Sequence, residues 1–320
     1  MQYDVIIVGA GPIGLACAIE AKKNNLKYIV LEKGTLVDSI YNYPLNMVFF
    51  STSERLEIGG VPFISHGIKP TRTEALEYYR RVKTSHDLNL SLYDEVCKIN
   101  KSNSGFNVES KSGNYKTTNV IIATGFYLYP NKMNILGEEL PKVLHYYKEP
   151  HPFNDRKILV VGAGNSAVDV ALETYRRGAE VTMVIRGGKI DDGVKYWVRP
   201  DIENRIAEGS IKAYFHSSLT EITETNVSII TPEGVVTIKN DFVLAMTGYH
   251  PDFKFLTDCG IIISDDDKKI PFHDQETFET NIPGLYLAGV VCGGMDTGRW
   301  FIENSRYHAE NVIKNILKQH

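Results

Sequence analysis

Apolar residues run almost unbroken over residues 3–8 and again over 28–31, and between them the spacing of apolar positions turns helical. Runs without polar alternation predict strands buried on both faces, so the opening reads strand, helix, strand. The same succession returns over residues 158–186. After each copy comes a set of short alternating runs, at 90–99, 106–110 and 115–122 and at 219–222, 227–231 and 235–238, which predicts two meanders. Buried runs closing on glycine recur at 120–125, in FVLAMTGYHPD over 242–252, and at 283–289. Residues 71–85 repeat apolar positions at Ala75, Leu76, Tyr79 and Val82 behind Thr71 or Thr73 as cap, a solvated amphipathic helix, and 51–54 (STSE) offers a capping box ahead of a short turn. Residues 297–317 read as one closing helix, and the proline-rich stretch 127–152 as a crossover between domains. The fold class expected is α/β, with two Rossmann-like dinucleotide-binding domains. The first is discontinuous, residues 1–128 and 248–320, and the second spans 152–244.

The chemistry sits where strand meets helix. Gly9, Gly11 and Gly14 stand in G-x-G-x-x-G between the first strand and its helix, and Glu32 closes the second strand. The first glycine allows a tight turn, the second lets backbone approach a pyrophosphate, the third lets helix pack on strand, and the acid can accept ribose hydroxyls. The second copy places Gly162, Gly164 and Ala167 in G-x-G-x-x-A, and its second strand ends at Arg186 rather than at an acid. A cation suits a 2′-phosphate that an acid would repel, so the first site reads as FAD and the second as NADPH.

Composition narrows the partners. Of 320 residues, 43% are hydrophobic and 23% charged, with 35 basic and 39 acidic residues giving a net charge of −4. No basic cluster exceeds a pair such as Arg176-Arg177, so no nucleic-acid partner is expected. No apolar segment approaches a membrane span, and the apolar opening, interrupted by Asp4 and lacking a basic start, does not read as a signal peptide. Cys17, Cys97, Cys259 and Cys292 show no C-x-x-C and no metal spacing, which predicts a cytoplasmic protein with neither a disulfide framework nor a metal site.

Two nested nucleotide units, the ATG and TGxxPD turns and the terminal GLYLAG strand resemble the thioredoxin reductase group of two-dinucleotide-domain flavoproteins, over the whole chain. That group carries a C-x-x-C after the second fingerprint; here no cysteine precedes Cys259 in that region, which excludes thioredoxin reductase itself. The blocks NYPLNMVFFSTSERLEIGGVPF, TRTEALEYYRRV, GEELPKVLHYYKEPHPF, KYWVRPDIENRI and FIENSRYHAE are similar to those of YpdA-type flavoproteins, assigned as NADPH-dependent bacillithiol disulfide reductases. The resemblance implies FAD held by Gly9, Gly11, Pro12, Gly14, Glu32, Lys33, Thr124, Gly125 and Gly289, and NADPH held near Gly164, Asn165 and Ser166 with its 2′-phosphate near Arg186 and Lys189. The expected cofactor-binding set also takes in Ile13, Tyr41, Asn46, Val96, Gly162, Gly248, Phe301 and Ile302.

Two departures bear on mechanism. Thioredoxin reductases carry an Asp after the terminal glycine where this chain has Val290, and many YpdA-type relatives carry a cysteine where this chain has Ile13. Cys292, in a glycine-rich loop, is then the candidate redox thiol, with packing as the other reading; Cys17 reads as packing. His145, His151 and Tyr249 are candidate acids, and the aromatic stretch 41–50 is either a wall of the flavin site or a cover over the core. The activity expected is hydride transfer from NADPH to flavin N5 and two electrons onward to a small acceptor, a low-molecular-weight thiol disulfide, in a homodimer or higher homo-oligomer. A flavin monooxygenase and a ferredoxin-reductase-like or redox-sensing flavoprotein are the alternatives.

Overall fold

The computed structural model describes residues 2–318, and the chain forms two compact units. One holds the chain up to Tyr129 and from Tyr249 onward; the other is Pro130–Gly248.

In the first unit a sheet runs in the order Leu90–Ser91, Tyr28–Leu31, Gln2–Val8, Gly113–Ile122, Gly105–Ser110, Val96–Ser102, with Leu285–Leu287 also paired to Gly113–Ile122. The opening strand lies between two parallel neighbours, Val5 facing Tyr28 on one side and Asn119 on the other, which explains its lack of alternation. The strand Gly113–Ile122 changes character along its length. Its first half alternates half-buried and exposed positions and pairs antiparallel with Gly105–Ser110. Its last four residues are all buried, held between parallel partners Gln2–Val8 and Leu285–Leu287. The helix Pro12–Lys23 packs on this sheet through fully buried Leu15 and Ile19, and His308–Lys318 lies against the helix. Burying each such side chain contributes about 1.5–3 kcal/mol.

The second unit has a five-stranded parallel sheet ordered Lys212–Tyr214, Glu180–Val184, Lys157–Val161, Phe242–Ala245, Val143–Leu144, with helix Asn165–Tyr175 on it. An antiparallel meander follows, Ser218–Ile222, Asn226–Thr231, Gly234–Lys239. The stretch read from sequence as a crossover is largely part of this unit. Val143 and Leu144 form its edge strand, Leu136 bridges to Glu221, and Met133, Ile135 and Leu140 pack against its core.

Other expectations shift locally. No single helix covers 297–317: the chain is extended at Phe301, a short helix Ile302–Ser305 follows, and His308–Lys318 starts anew. Between the two helices the Arg306 guanidinium donates to the Glu54 and Glu57 carbonyls at 3.1 and 2.7 Å. The helix Ser53–Leu56 has no side-chain cap from Thr52, so the STSE box does not form; the Ser53 hydroxyl bonds Ser65 instead. In Arg72–Ser85 the buried face includes Tyr78 as well as Ala75, Tyr79 and Val82. The Tyr78 hydroxyl accepts the Ile58 N–H at 2.8 Å and donates to the Val61 carbonyl at 3.0 Å, and the Tyr79 hydroxyl donates to the Leu56 carbonyl at 3.1 Å. Among the described residues no helix is long and apolar enough to cross a membrane.

The cap of Arg72–Ser85 is Thr71, whose Oγ1 accepts the Glu74 N–H at 3.3 Å while the Glu74 carboxylate accepts the Thr71 N–H at 2.7 Å. Thr71→Ala is expected to cost about 1 kcal/mol, lowering Tm by roughly 2–4 °C in calorimetry. An unchanged Tm would show that Glu74 holds the helix start alone.

Candidate functional site

In the first unit the three fingerprint glycines have three different surroundings. A Cβ on Gly14 would stand 1.9 Å from the Gly9 carbonyl oxygen, so only hydrogen lets the helix approach the strand end this closely. Gly9 has φ +103°, and a Cβ there would stand 2.7 Å from the Ala123 carbonyl oxygen. A Cβ on Gly11 would meet nothing within 4 Å. The first and third glycines therefore serve the protein's own packing, and the second opens onto free space. Helix Pro12–Lys23 begins there with Pro12 at its first position and no side-chain cap. Its leading N–H groups and dipole are available to an anion, which is the fit a pyrophosphate requires.

Glu32 is buried, and each carboxylate oxygen is fixed by backbone: Oε2 accepts the Ala10 N–H at 2.6 Å and Oε1 the Gly34 N–H at 2.9 Å. Burial raises its pKa, and those two bonds oppose the rise. The carboxylate is thus presented beside the glycine turn with acceptor capacity left for hydroxyls. Behind it Val37 adopts the left-handed conformation, φ 50°, an outlier for a β-branched residue, and its N–H donates to the Ala10 carbonyl at 3.1 Å. No sequence signal marks this residue.

Around this cradle Thr124 and Gly125 follow the strand Gly113–Ile122, and a Cβ on Gly125 would lie 3.9 Å from Val290 and 4.0 Å from the Ser39 hydroxyl. Gly289, φ +88°, ends the run from Leu285–Leu287, and a Cβ there would press on Ile13 at 3.2 Å. Lys33 lies 5.5 Å from the Tyr129 ring centroid, and Val96 is buried at the start of its strand. Tyr41 and Asn46 are exposed, and Arg72 anchors the loop by donating to the Tyr41 carbonyl from Nη2 at 2.5 Å and from Nε at 3.2 Å. Of the 41–50 stretch, one part covers the core and another faces other rings. Phe49 joins the core, while Tyr43 meets Tyr127 at 4.7 Å and Tyr127 meets Tyr249 at 4.5 Å, a line of aromatic rings. Phe301 is half exposed and Ile302 opens a helix of only four residues, where the sequence predicts one long closing helix. Gly248 falls at the end of the second unit, where a Cβ would lie 3.3 Å from Asn131 Nδ2, so it does not share the unit of the other flavin candidates.

The structure places Cys292 in the core rather than on an accessible loop. It is 0% exposed, and burial raises its thiol pKa far above the usual range; Cys17, also 0% exposed, is pushed up to about 12 by burial. Neither is poised as a thiolate. The neighbour of Cys292 is His308, a residue that nothing in the sequence singles out. Its Nδ1 accepts the Gly289 N–H at 3.2 Å, and its ring stacks on Phe278 at 3.9 Å and meets Trp300 edge-on at 4.5 Å. Burial lowers its pKa to about 3, so the neutral imidazole is the state that holds Gly289, just beyond the strand Leu285–Leu287.

In the second unit the same logic recurs. A Cβ on Gly162 would stand 2.5 Å from the Met246 carbonyl oxygen and 3.2 Å from Ala167 Cβ, whereas one on Gly164 would meet nothing within 4 Å. Helix Asn165–Tyr175 starts at Gly164 without a side-chain cap, and Ser166 is exposed beside it. The Asn165 side chain ties the following loop to the fingerprint, Nδ2 donating to the Gly193 carbonyl at 3.0 Å and Oδ1 accepting the Lys195 N–H at 2.9 Å. Arg186 is exposed, and among the described residues no carboxylate pairs with it. Lys189, expected to act with it, is engaged by Asp192 at 2.5 Å, which also accepts from Arg199 at 3.1 Å. Among the described residues no group of His, Cys, Asp and Glu forms a metal site.

Comparison with known proteins agrees with this geometry. The family model described as pyridine nucleotide-disulphide oxidoreductase matches residues 6–289. The chain is 44% identical over 321 residues to the bacilliredoxin reductase Bdr of Bacillus subtilis (strain 168), covering 100% of this chain and 99% of that one. Two solved structures superpose with a TM-score of 0.97. The bacillithiol disulfide reductase Bdr (YpdA) from Staphylococcus aureus is 40% identical, covering 100% of this chain and 99% of that one. Its namesake from Bacillus cereus is 42% identical and covers 100% of both chains.

Two outcomes follow from the cradle and from His308. Gly11→Ala is expected to leave the fold intact but lower the flavin bound per protein, because its methyl enters the open cradle. Gly14→Ala is expected to lose folded protein, and equal behaviour of the two in flavin absorbance and circular dichroism would refute the division of roles. An unfolded imidazole titrates near 6.5 and folded His308 at about 3, so the unfolded chain binds the proton first and folded stability falls as pH drops from 6.5 towards 3. His308→Asn, whose carbonyl can still accept the Gly289 N–H, is expected to flatten the fall of Tm across that window; an unaltered slope would place the acid sensitivity elsewhere.

Proposed function

The chain belongs to the pyridine nucleotide-disulphide oxidoreductase family, and on that premise we propose that it spends NADPH, through FAD, on the reduction of a low-molecular-weight thiol disulfide, bacillithiol disulfide. The observation that carries this reading is a pair of glycine cradles with opposite ribose-side charge, Glu32 on the first and Arg186 on the second, in a chain whose fingerprint helices carry no dithiol. The 40% and 42% identity to the bacillithiol disulfide reductases supports the acceptor. FAD and NADPH, when bound, supply the hydride and two-electron chemistry.

The chain's own residues do the remaining work. Gly11 and Gly164 admit pyrophosphates to uncapped helix starts, Glu32 orients a ribose, and Arg186 neutralises a 2′-phosphate. Ile13 against Gly289 and the Tyr43, Tyr127 and Tyr249 rings give the flavin side apolar surroundings that exclude water. Cys17 and Cys292, which lie in the core beside the first cradle, are buried with their thiol pKa raised by burial, so neither relays electrons and the acceptor disulfide meets the flavin directly. One NADPH and one proton then yield NADP⁺ and two thiols from one disulfide. All four cysteines are free, which supports residence in a reducing cytoplasm.

The Bacillus subtilis relative, a bacilliredoxin reductase, favours one other acceptor, the disulfide form of a bacilliredoxin. The assay that decides follows NADPH loss, oxygen uptake and thiol release together, offering the FAD-loaded protein bacillithiol disulfide, other small disulfides and an oxidised bacilliredoxin in turn. Two thiols per NADPH from bacillithiol disulfide, with little oxygen consumed, is the expected result. Turnover with bacilliredoxin alone would transfer the reading to that protein, and oxygen uptake equal to NADPH loss without thiol would overturn both.

A further inference from the structure

The cation at the end of the second ribose strand has a neighbour that sequence spacing does not disclose. Strands Glu180–Val184 and Lys212–Tyr214 are parallel neighbours with Val184 opposite Tyr214. Arg186 and His216 therefore each stand two residues beyond the last pair, at the carboxyl ends of adjacent strands, where ligands of such sheets bind. Backbone bonds continue past the strands and hold the two ends together. The Ile185 N–H donates to the Tyr214 carbonyl at 2.9 Å, the His216 N–H to the Gly187 carbonyl at 3.0 Å and the Ser217 N–H to the Ile185 carbonyl at 3.0 Å.

The imidazole has a fixed place in this arrangement. A Cβ on Gly188 would stand 2.7 Å from His216 Nε2 and 2.8 Å from its Cε1, so the ring lies against the bare backbone of the turn that follows Arg186. His216 itself is left-handed, φ 51°, a conformation that glycine or asparagine adopts more readily and that sets the direction of its side chain. The residue is exposed, and among the described residues its ring nitrogens have no hydrogen-bond partner. Lys189, the other nearby cation, is already engaged by Asp192. A phosphate dianion takes several donors, and Arg186 alone leaves oxygens unmet.

We propose that His216 is a second donor to the 2′-phosphate, beside Arg186, and so a determinant of the choice of NADPH over NADH. This rests on the NADPH reading above. Gly188 serves the site by leaving room for the ring, and the parallel strand ends bring the two donors to one corner.

The test compares 2′,5′-ADP with 5′-AMP, which differ only in the 2′-phosphate, by calorimetric titration of the FAD-loaded protein. His216→Asn keeps a residue suited to the left-handed backbone, and flavin content and Tm report its integrity. The wild type is expected to bind 2′,5′-ADP far more tightly than 5′-AMP, and H216N to narrow that ratio by about tenfold, the worth of one charge-assisted hydrogen bond, with 5′-AMP unaffected. His216→Gln, with the ratio of KM for NADH to KM for NADPH as readout, repeats the test if H216N does not fold. An unchanged ratio, or equal weakening of both nucleotides, overturns the assignment while leaving the NADPH reading intact. A wild type that does not distinguish the two nucleotides removes the NADPH reading itself, and the inference with it.

Discussion

The first unit depends on one contact between backbones. At the end of the opening strand the helix comes so near that a single methyl on Gly14 would collide with the Gly9 carbonyl oxygen at 1.9 Å. That approach fixes where the helix starts, and so where its unpaired N–H groups point. It also fixes the turn between them, because Gly9 must pass under Ala123 with positive φ. Glu32 is held by the Ala10 and Gly34 N–H groups of the same corner, so the carboxylate is placed by the turn rather than by its own strand alone. The second unit repeats the contact with Gly162, Ala167 and Met246, and Gly164 is left facing open space as Gly11 is.

Around these corners the protein separates what must be rigid from what must be reachable. The thiols nearest the first cradle are rigid: Cys17 and Cys292 are fully buried, and desolvation keeps them protonated. His308 belongs to the same layer, and its neutral ring fixes Gly289 against Ile13. What is reachable is backbone, a few aromatic rings and, in the second unit, Arg186. Such a distribution suits a protein in which cofactors carry electrons and side chains hold and orient them.

Much of the fold and the outline of each cradle were legible in the sequence because both rest on local rules. Strand-to-helix changes of period, glycine spacing, and the acid or base closing the next strand all lie within about thirty residues. Local rules failed where distant chain decided. The expected closing helix is two helices, and between them Arg306 reaches the carbonyls of Glu54 and Glu57, some 250 positions away in sequence. The 127–152 stretch looked like a linker, but Val143 and Leu144 complete a sheet whose other strands come later in the chain. Lys189 was legible as a cation; that Asp192 engages it was not.

By itself the sequence determined the class of fold, the two glycine turns and the opposite charge of Glu32 and Arg186 that close the strands beside them, because these follow from which residues can turn, pack or repel at fixed short spacing. Only the tertiary structure decided that Cys292 is sealed in the core, that His308 holds Gly289, that Val37 adopts left-handed backbone, and that His216 stands beside Arg186. Burial and hydrogen-bond partnership across sheet and helix are properties of the packed chain, and the desolvation that sets a thiol or an imidazole arises only when distant elements close around it.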